Sequence, residues 1–234
     1  MKTNIQKKTK LVNYVFSKVH KKYDLMNDIM SFGVHRVWKN KLIDWMKPQH
    51  GQKLVDVASG TGDIVKLFLN KNDKLAQIDC VEPNEDMFNF GKERFKNEKN
   101  VKWFNQYAES LPFEEDSYDF YTISFGIRNV GNINKALSEA FRVLKPGGRF
   151  MCLEFSKVDN EIFNFIYQNY SKLIPHIGKY IVGTSQPYDY LIKSIKEFHS
   201  QAELLKLMEN NKFSNIEYRN LSNGICAIHS GWKI

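Results

Sequence analysis

The chain has 234 residues, 42% of them hydrophobic and 26% charged, which is typical of a globular protein with a sizeable core. No run of 18 or more apolar residues occurs, so the composition gives no sign of a membrane-spanning helix. The basic stretch MKTNIQKKTK at the start lacks the apolar segment of a secretory signal, so we expect a cytoplasmic protein.

The formal net charge of +8 raises the question of an anionic partner. The lysines are scattered, and no basic stripe with interleaved aromatic residues or RNA-binding motif is present. We therefore expect no nucleic-acid partner and a solvated, lysine-rich surface. Attraction to an anionic membrane surface stays open.

The three cysteines, Cys80, Cys152 and Cys226, lie far apart, each within an apolar run. Their spacing fits neither a metal site nor a disulfide framework. We predict buried, reduced thiols and no bound metal.

Strand-like and helix-like segments alternate through the middle of the chain. Helical segments read DIVKLFLN, NEDMFNFGKERFK (with Asn84 as N-cap) and NINKALSEAFRVL, the last ended by KPGG. The predicted strands are Lys53–Ala58, Ala76–Glu82, 101–106, Tyr118–Phe125 and Arg149–Phe155. This alternation predicts an α/β fold with a parallel sheet, whose ligands bind beyond the carboxyl ends of the strands.

Two aromatic-rich regions, residues 12–46 and 159–197, fall outside the alternation. QAELLKLMENN then predicts a helix, and FSNIEYRNL with GICAIHSGW predicts a closing pair of strands. Neither region has linker composition, so we expect one domain over residues 1–234. Residues 12–46 would form a helical cap over the strand ends, and residues 159–197 a helical lid.

The loop LVDVASGTGD follows the first predicted strand and resembles a dinucleotide-binding turn. Gly60 and Gly62 match its first two glycines, but Val65 occupies the third position. Asp56 and Asp63 flank the turn and would repel a pyrophosphate. These carboxylates suit a ligand with an ammonium or sulfonium group, although a simple tight turn remains the alternative.

A third carboxylate, Glu82, ends the second predicted strand, where it can accept hydrogen bonds from a ribose diol. A ribose and a cationic tail together point to S-adenosylmethionine. The motif LKPGGRF before the fifth strand resembles the corresponding turn of class I methyltransferases.

Four further stretches carry a closer resemblance: KYDLMNDIMSFGVHRVWK, AESLPFEEDSYD, TISFGIRNV and RVLKPGGRFMCLEFSK. Together they resemble the ubiquinone/menaquinone biosynthesis C-methyltransferases, from about Val15 to the C-terminal HSGWK. The resemblance implies a Rossmann-like class I methyltransferase fold, with a seven-stranded, mostly parallel sheet flanked by helices. It also implies S-adenosylmethionine-dependent methylation of a ring carbon of a polyprenyl benzoquinol or naphthoquinol.

The resemblance further implies which residues contact the cofactor. Tyr107 departs from the family pattern, where Asn or Asp is usual, and its ring could stack on the adenine instead. The loop itself contributes Asp56, Gly60 and Gly62. The resemblance adds Thr61 beside the methionine portion, Glu82 on the ribose, Tyr107 and Ala108 beside the adenine, and Ser124 at the end of strand four.

For catalysis, Arg128 and Asn129 follow strand four, and Tyr23 lies in the expected cap. Arg128 would stabilise an oxyanion, while Asn129 and Tyr23 would bond ring oxygens. The alternatives are that Arg128 pairs with an acid, Asn129 caps the next helix and Tyr23 simply packs. A base at His20 or His35 is chemically attractive, but each is more often structural.

The expected substrate is a polyprenyl quinol whose tail lies along residues 161–183. We also weigh peripheral contact with the inner face of a membrane, a homodimer, and membership of a quinone-synthesis complex. The alternatives are methylation of another small acceptor and a non-catalytic scaffold subunit. The choice between benzoquinol and naphthoquinol is left open by the sequence.

Overall fold

The computed structural model describes residues 33–71, 76–158 and 185–234, together with residues 12, 14, 15, 17, 25, 27, 28 and 31. The helices with defined bounds are α1 (His35–Met46), α2 (Asp63–Lys71), α3 (Glu85–Arg94), α4 (Ile133–Val143), α5 (Gln186–Glu197) and α6 (Gln201–Asn210). The strands are β1 (Leu54–Val57), β2 (Ile78–Val81), β3 (Val101–Phe104), β4 (Tyr118–Ser124), β5 (Leu144–Phe155), β6 (Ser214–Leu221) and β7 (Cys226–Trp232).

These strands form one seven-stranded sheet in the order β3-β2-β1-β4-β5-β7-β6. The pairs from β3 to β5 are parallel, and β7 runs antiparallel to both β5 and β6. The prediction of a seven-stranded, mostly parallel sheet is therefore confirmed, and the closing pair of strands is antiparallel. The strand order reverses between β1 and β4, which is where ligands of such sheets bind.

The beginning of β5 differs from the prediction. The strand starts at Leu144, and its register against β4 shifts between the pairs Tyr118–Leu144 and Phe120–Arg149. Gly147 has a φ of +79°, within this irregular stretch. The helix ends at Val143, directly before Leu144, and the KPGG motif forms an irregular stretch near the start of β5.

Helices cover both faces of the sheet. On one face α1, α2 and α5 bury residues such as Leu42, Phe68 and Leu191. On the other face α4 and α6 bury residues such as Leu137 and Leu204. Helix α1 buries positions 35, 38, 39, 42, 43 and 46, which is the spacing of one helical face.

The three cysteines are buried free thiols, as predicted. The described residues before Gly33 are helical, whereas 159–184 lie outside the described residues. That residues 12–46 cap the strand ends and that residues 159–197 form a lid therefore stay predictions.

Candidate active site

The loop after β1 depends on its two glycines. Gly60 and Gly62 have φ values of +56° and +86°, which glycine adopts without strain. A side chain on Gly62 would also overlap the ring of Phe95. The Ser59 amide donates to the Val81 carbonyl at 3.1 Å, which ties the loop to the end of β2.

Glu82 is buried directly beside this loop. Its Oε2 accepts a hydrogen bond from the Gly60 amide and its Oε1 accepts one from the Asn84 amide, each at 2.9 Å. Burial raises the pKa of Glu82 to about 7. A carboxylate offers about four lone-pair directions, so two amide bonds leave capacity for further donors.

A first cavity opens at the carboxyl ends of β1, β2 and β4. Its wall combines apolar groups, the Glu82 carboxylate and the half-exposed ring of Tyr107. The side chain of Asn84 helps to fix this wall by capping α3 through the Met87 amide at 3.1 Å, as predicted. The lining includes Val57, Ala58, Gly60, Glu82, Pro83, Met87, Tyr107, Ala108, Phe125, Gly126 and Asn129.

A second, smaller cavity is polar. Asp56 is buried there, and its Oδ1 accepts a hydrogen bond from Thr122 Oγ1 at 2.6 Å. Asp56 Oδ2 and Ser124 Oγ are also buried, and neither has a hydrogen-bond partner within the described part of the chain. Burial raises the pKa of Asp56 to about 7. A cationic donor at Asp56 Oδ2 would favour the ionised form of this carboxylate.

Lys39 brings a cation from α1 into the second cavity. Its Nζ is 2.7 Å from Asp63 Oδ2, and Arg94 Nη1 is 3.0 Å from Asp63 Oδ1. Burial opposes ionisation of Asp63, but Lys39 and Arg94 lower its pKa to about 2. The sequence prediction missed Lys39, although a lysine on the buried face of an amphipathic helix indicates a paired charge.

Three residues, Ala58, Gly60 and Phe125, line both cavities. Ala58 and Phe125 have φ values of +53° and +55°, which are unfavourable for residues with a side chain. The two cavities therefore adjoin at strained backbone at the ends of β1 and β4. One elongated ligand could place a hydroxyl-bearing part and an apolar ring in the first cavity and a charged part in the second.

Arg128 lies in a 3₁₀ turn (Ile127–Asn129) that follows β4 and is buried. Its Nη1 donates to Glu154 Oε1 at 2.5 Å and to the Phe125 carbonyl at 2.7 Å. This arrangement matches the alternative in which Arg128 pairs with an acid. Glu154 was not singled out from the sequence, although an acid inside the apolar run RFMCLEF is itself a signal of a buried partner.

Asn129 lines the first cavity and does not cap the following helix. That cap is Asn132, whose side chain accepts from the Lys135 amide at 3.1 Å. Asn129 Oδ1 instead accepts a hydrogen bond from the Tyr190 hydroxyl of α5 at 2.9 Å. Sequence reasoning missed Tyr190, because no local pattern links α5 to the turn after β4.

The remaining candidates lie elsewhere. Tyr23 and His20 are outside the described residues. His35 is buried and bonds Asp28 at 2.8 Å, and burial lowers the pKa of its ring. Within the described ranges, no group of three or more His, Cys, Asp or Glu residues could hold a metal, and no helix is long and apolar enough to cross a membrane.

A model of the ubiE/COQ5 methyltransferase family matches residues 2–233. The chain belongs to this family. It is 46% identical over 230 residues to the ubiquinone/menaquinone biosynthesis C-methyltransferase UbiE of Brucella abortus (strain S19), covering 96% of this chain and 86% of that one. It is 47% identical to the protein of the same name from Brucella anthropi, with coverages of 96% and 88%.

Solved structures show the same fold. A Thermotoga maritima S-adenosylmethionine-dependent methyltransferase, described as a possible histamine N-methyltransferase, has a TM-score of 0.65 at 21% identity and covers 94% of this chain and 99% of its own. Phosphoethanolamine N-methyltransferase 2 of Haemonchus contortus, solved in complex with S-adenosyl-L-methionine, has a TM-score of 0.60 at 14% identity, with coverages of 83% and 52%. This ubiE/COQ5 family member therefore shares the Rossmann-like methyltransferase fold of both solved structures.

Proposed function

We propose that this protein transfers the methyl group of S-adenosylmethionine to a ring carbon of a polyprenyl quinol in ubiquinone or menaquinone biosynthesis. The observation that carries this proposal is the family match across residues 2–233, together with relatives of that name at 46–47% identity. The two adjoining cavities support the choice of cofactor independently.

The residues of both cavities fit S-adenosylmethionine. Glu82 has acceptor capacity left for a ribose diol, and the Tyr107 ring is placed at the wall of the same cavity. Asp56 Oδ2, buried without a partner within the described residues, would accept from the α-ammonium group. Lys39 would attract the α-carboxylate. When bound, this cofactor supplies an electrophilic methyl group.

The acceptor quinol must lose or share a hydroxyl proton before its ring carbon becomes a good nucleophile. In our proposal Asn129 donates from its amide group to a ring oxygen, since its own oxygen is held by Tyr190. Arg128 fixes the turn through Phe125 and Glu154, and in our proposal it thereby positions Asn129 toward the acceptor. The same proposal includes a hydrogen bond between Tyr23 and a ring oxygen.

The substrate implies where the protein works. A polyprenyl quinol resides in a bilayer, so we extend the proposal to peripheral contact with the inner membrane face, with the tail along residues 161–183. A homodimer or a quinone-synthesis complex belongs to the same proposal. These extensions rest on the substrate class.

The decisive experiment is a methyl-transfer assay in which labelled S-adenosylmethionine is offered with demethylmenaquinol or with 2-polyprenyl-6-methoxy-1,4-benzoquinol. We expect a mass gain of one methyl on a ring carbon for at least one acceptor. Methylation of a sterol or simple phenol but of neither quinol would refute the substrate class. Absence of cofactor binding by calorimetry would favour a scaffold subunit.

Cofactor residues can be separated from acceptor residues by variants. Glu82→Ala should weaken cofactor binding, because its proposed partner is the ribose. Asn129→Ala and Arg128→Lys should lower turnover far more than cofactor affinity. Near wild-type turnover in Asn129→Ala and Arg128→Lys would remove these residues from the mechanism.

A further inference from the structure

A concave surface on the sheet face beside α1 collects cations that the proposed reaction does not use. It lies between the C-terminal half of α1 and the strands β5, β7 and β6, away from the two cavities described above. Its lining residues are Lys41, Asp44, Trp45, Lys47, Arg149, Arg219, Asn220, Leu221 and Ile228. We call this surface the α1–β6 pocket.

The base of the α1–β6 pocket is a rigid guanidinium. Arg149 is buried, with Nε donating to Ser230 Oγ at 2.7 Å and Nη1 donating to the Trp45 carbonyl at 3.0 Å. The nearest carboxylate to its Nη2 is Glu217, at 4.0 Å. Burial lowers the pKa of Arg149, and Arg219 lowers it further while Glu217 opposes this.

A second guanidinium contacts the same tryptophan ring as the first. The Arg219 guanidinium is 3.9 Å from the centroid of the Trp45 ring, and that of Arg149 is 4.9 Å from the same centroid. Trp45 attracts both cations through its ring face. The two guanidiniums still repel each other, which is why Arg219 lowers the pKa of Arg149, so an anion close to both would be stabilised.

The charge of the α1–β6 pocket is not balanced by its own acids. Among the described residues, Lys41, Lys47 and Arg219 form no ion pair. The one acid in the lining, Asp44, lies 3.1 Å from Lys71. The C-terminus of α1 contributes about half a negative charge, which is too little to balance these three cations.

We propose that the α1–β6 pocket binds a phosphate group, either free or as the headgroup phosphate of an anionic phospholipid. The exposed Arg219, Lys41 and Lys47 around one concavity, with the buried Arg149 beneath them, offer the charge-assisted donors that a phosphate accepts. The pocket also brings together cations that lie far apart in the sequence.

The test compares Arg219→Gln/Lys41→Gln with a charge-matched control, Lys102→Gln/Lys206→Gln, which removes two exposed lysines elsewhere. Arg149 is left intact because it supports the fold. Calorimetry with inorganic phosphate and co-sedimentation with vesicles containing phosphatidylglycerol are run on wild type and both double variants. Circular dichroism confirms that each variant is folded.

We expect the Arg219/Lys41 pair to weaken binding about tenfold or more, while the control pair stays near wild type. If the Arg219/Lys41 double variant loses binding to inorganic phosphate, the pocket is a free-phosphate site. If it loses binding to the vesicles alone, the pocket is a lipid headgroup site. Absence of wild-type binding to both probes, or equal losses in the two double variants, overturns the proposal. These readings do not depend on methyl transfer, so they stand whether or not the proposed activity is found.

Discussion

Ala58 and Gly126 face each other across the point where the strand order reverses. A Cβ atom on Gly126 would overlap the Cβ of Ala58, and it would lie 3.2 Å from Ile123 Cγ1. Both residues line the first cavity, and Ala58 also lines the second. The close approach of the loops after β1 and β4 therefore determines how the two cavities meet.

Gly126→Ala should destabilise the fold by about 1–3 kcal/mol, because the added methyl overpacks this contact. The φ of −115° at Gly126 is acceptable for alanine, so backbone strain does not contribute. Denaturant unfolding measures the stability loss, and calorimetry measures the accompanying loss of S-adenosylmethionine affinity.

The rescue is Ala58→Gly combined with Gly126→Ala. It moves the methyl from one side of the contact to the other and also relieves the left-handed backbone of Ala58. We expect the double variant to recover most of the stability lost in Gly126→Ala. A strictly additive pair would mean that Ala58 is not the group that the new methyl meets.

Glu154→Ala should cost about 3–5 kcal/mol of unfolding free energy, because it leaves the buried Arg128 guanidinium without its carboxylate. Glu197→Ala is the matched control, since Glu197 is exposed and its pair with Lys193 is 3.8 Å long. The control should cost at most about 0.5 kcal/mol. Equal costs would show that the Arg128–Glu154 pair contributes nothing.

Most of the sheet could be predicted from the sequence because strand and helix patterns are local. The carboxylates Asp56 and Glu82 were found in the same way, since each lies near the carboxyl end of a strand whose neighbours are implied by the alternation. Their raised pKa values could not be predicted, because they depend on burial by residues far apart in the chain.

The contacts that were missed are long-range. Tyr190 reaches Asn129 across 61 positions, and Arg128 reaches Glu154 across 26. Lys39 enters the second cavity from a helix outside the alternating segments. No pattern within a single segment specifies such pairs, because they follow from how the helices pack on the sheet.

Tyr190→Phe should lower kcat for the quinol about 3- to 10-fold, because Asn129 loses the donor that fixes its amide. The affinity for S-adenosylmethionine should not change, because Tyr190 is not among the residues lining either cavity. Steady-state kinetics and calorimetry on the same preparation separate the two quantities.

Tyr188→Phe provides the control on the same helix. The Tyr188 hydroxyl is buried and has no hydrogen-bond partner within the described residues, so its removal should leave kcat unchanged. If both tyrosine variants lose the same activity, the effect comes from α5 as a whole. If neither loses activity, Tyr190 does not position Asn129 for the reaction.

Asp56→Asn should change cofactor affinity and stability in opposite directions. Burial raises the pKa of Asp56 from 3.8 to about 7, so its protonated form favours the fold. That contribution is full below pH 3.8 and is lost as the pH rises through about 7. Without cofactor, the variant should therefore be more stable than wild type at pH 8, by about 1–4 kcal/mol, and the gain should shrink at pH 5.

The same shift predicts how cofactor binding depends on pH. A cationic ligand needs the ionised carboxylate, so wild-type affinity should rise as the pH increases through about 7. The Asp56→Asn variant should bind S-adenosylmethionine more weakly than wild type. Its affinity should keep only the pH dependence contributed by Glu82, whose pKa is also about 7. Calorimetry at pH 6, 7 and 8 measures both slopes.

Asp63→Asn tests the sign of this argument, because the pKa of Asp63 is lowered to about 2 against the opposing effect of burial. Its stabilising contribution is present above pH 3.8 and is lost as the pH falls through about 2. Asp63→Asn should therefore destabilise the protein at pH 8, where Asp56→Asn stabilises it. If both variants shift stability the same way at pH 8, burial is not what sets the charge state of Asp56.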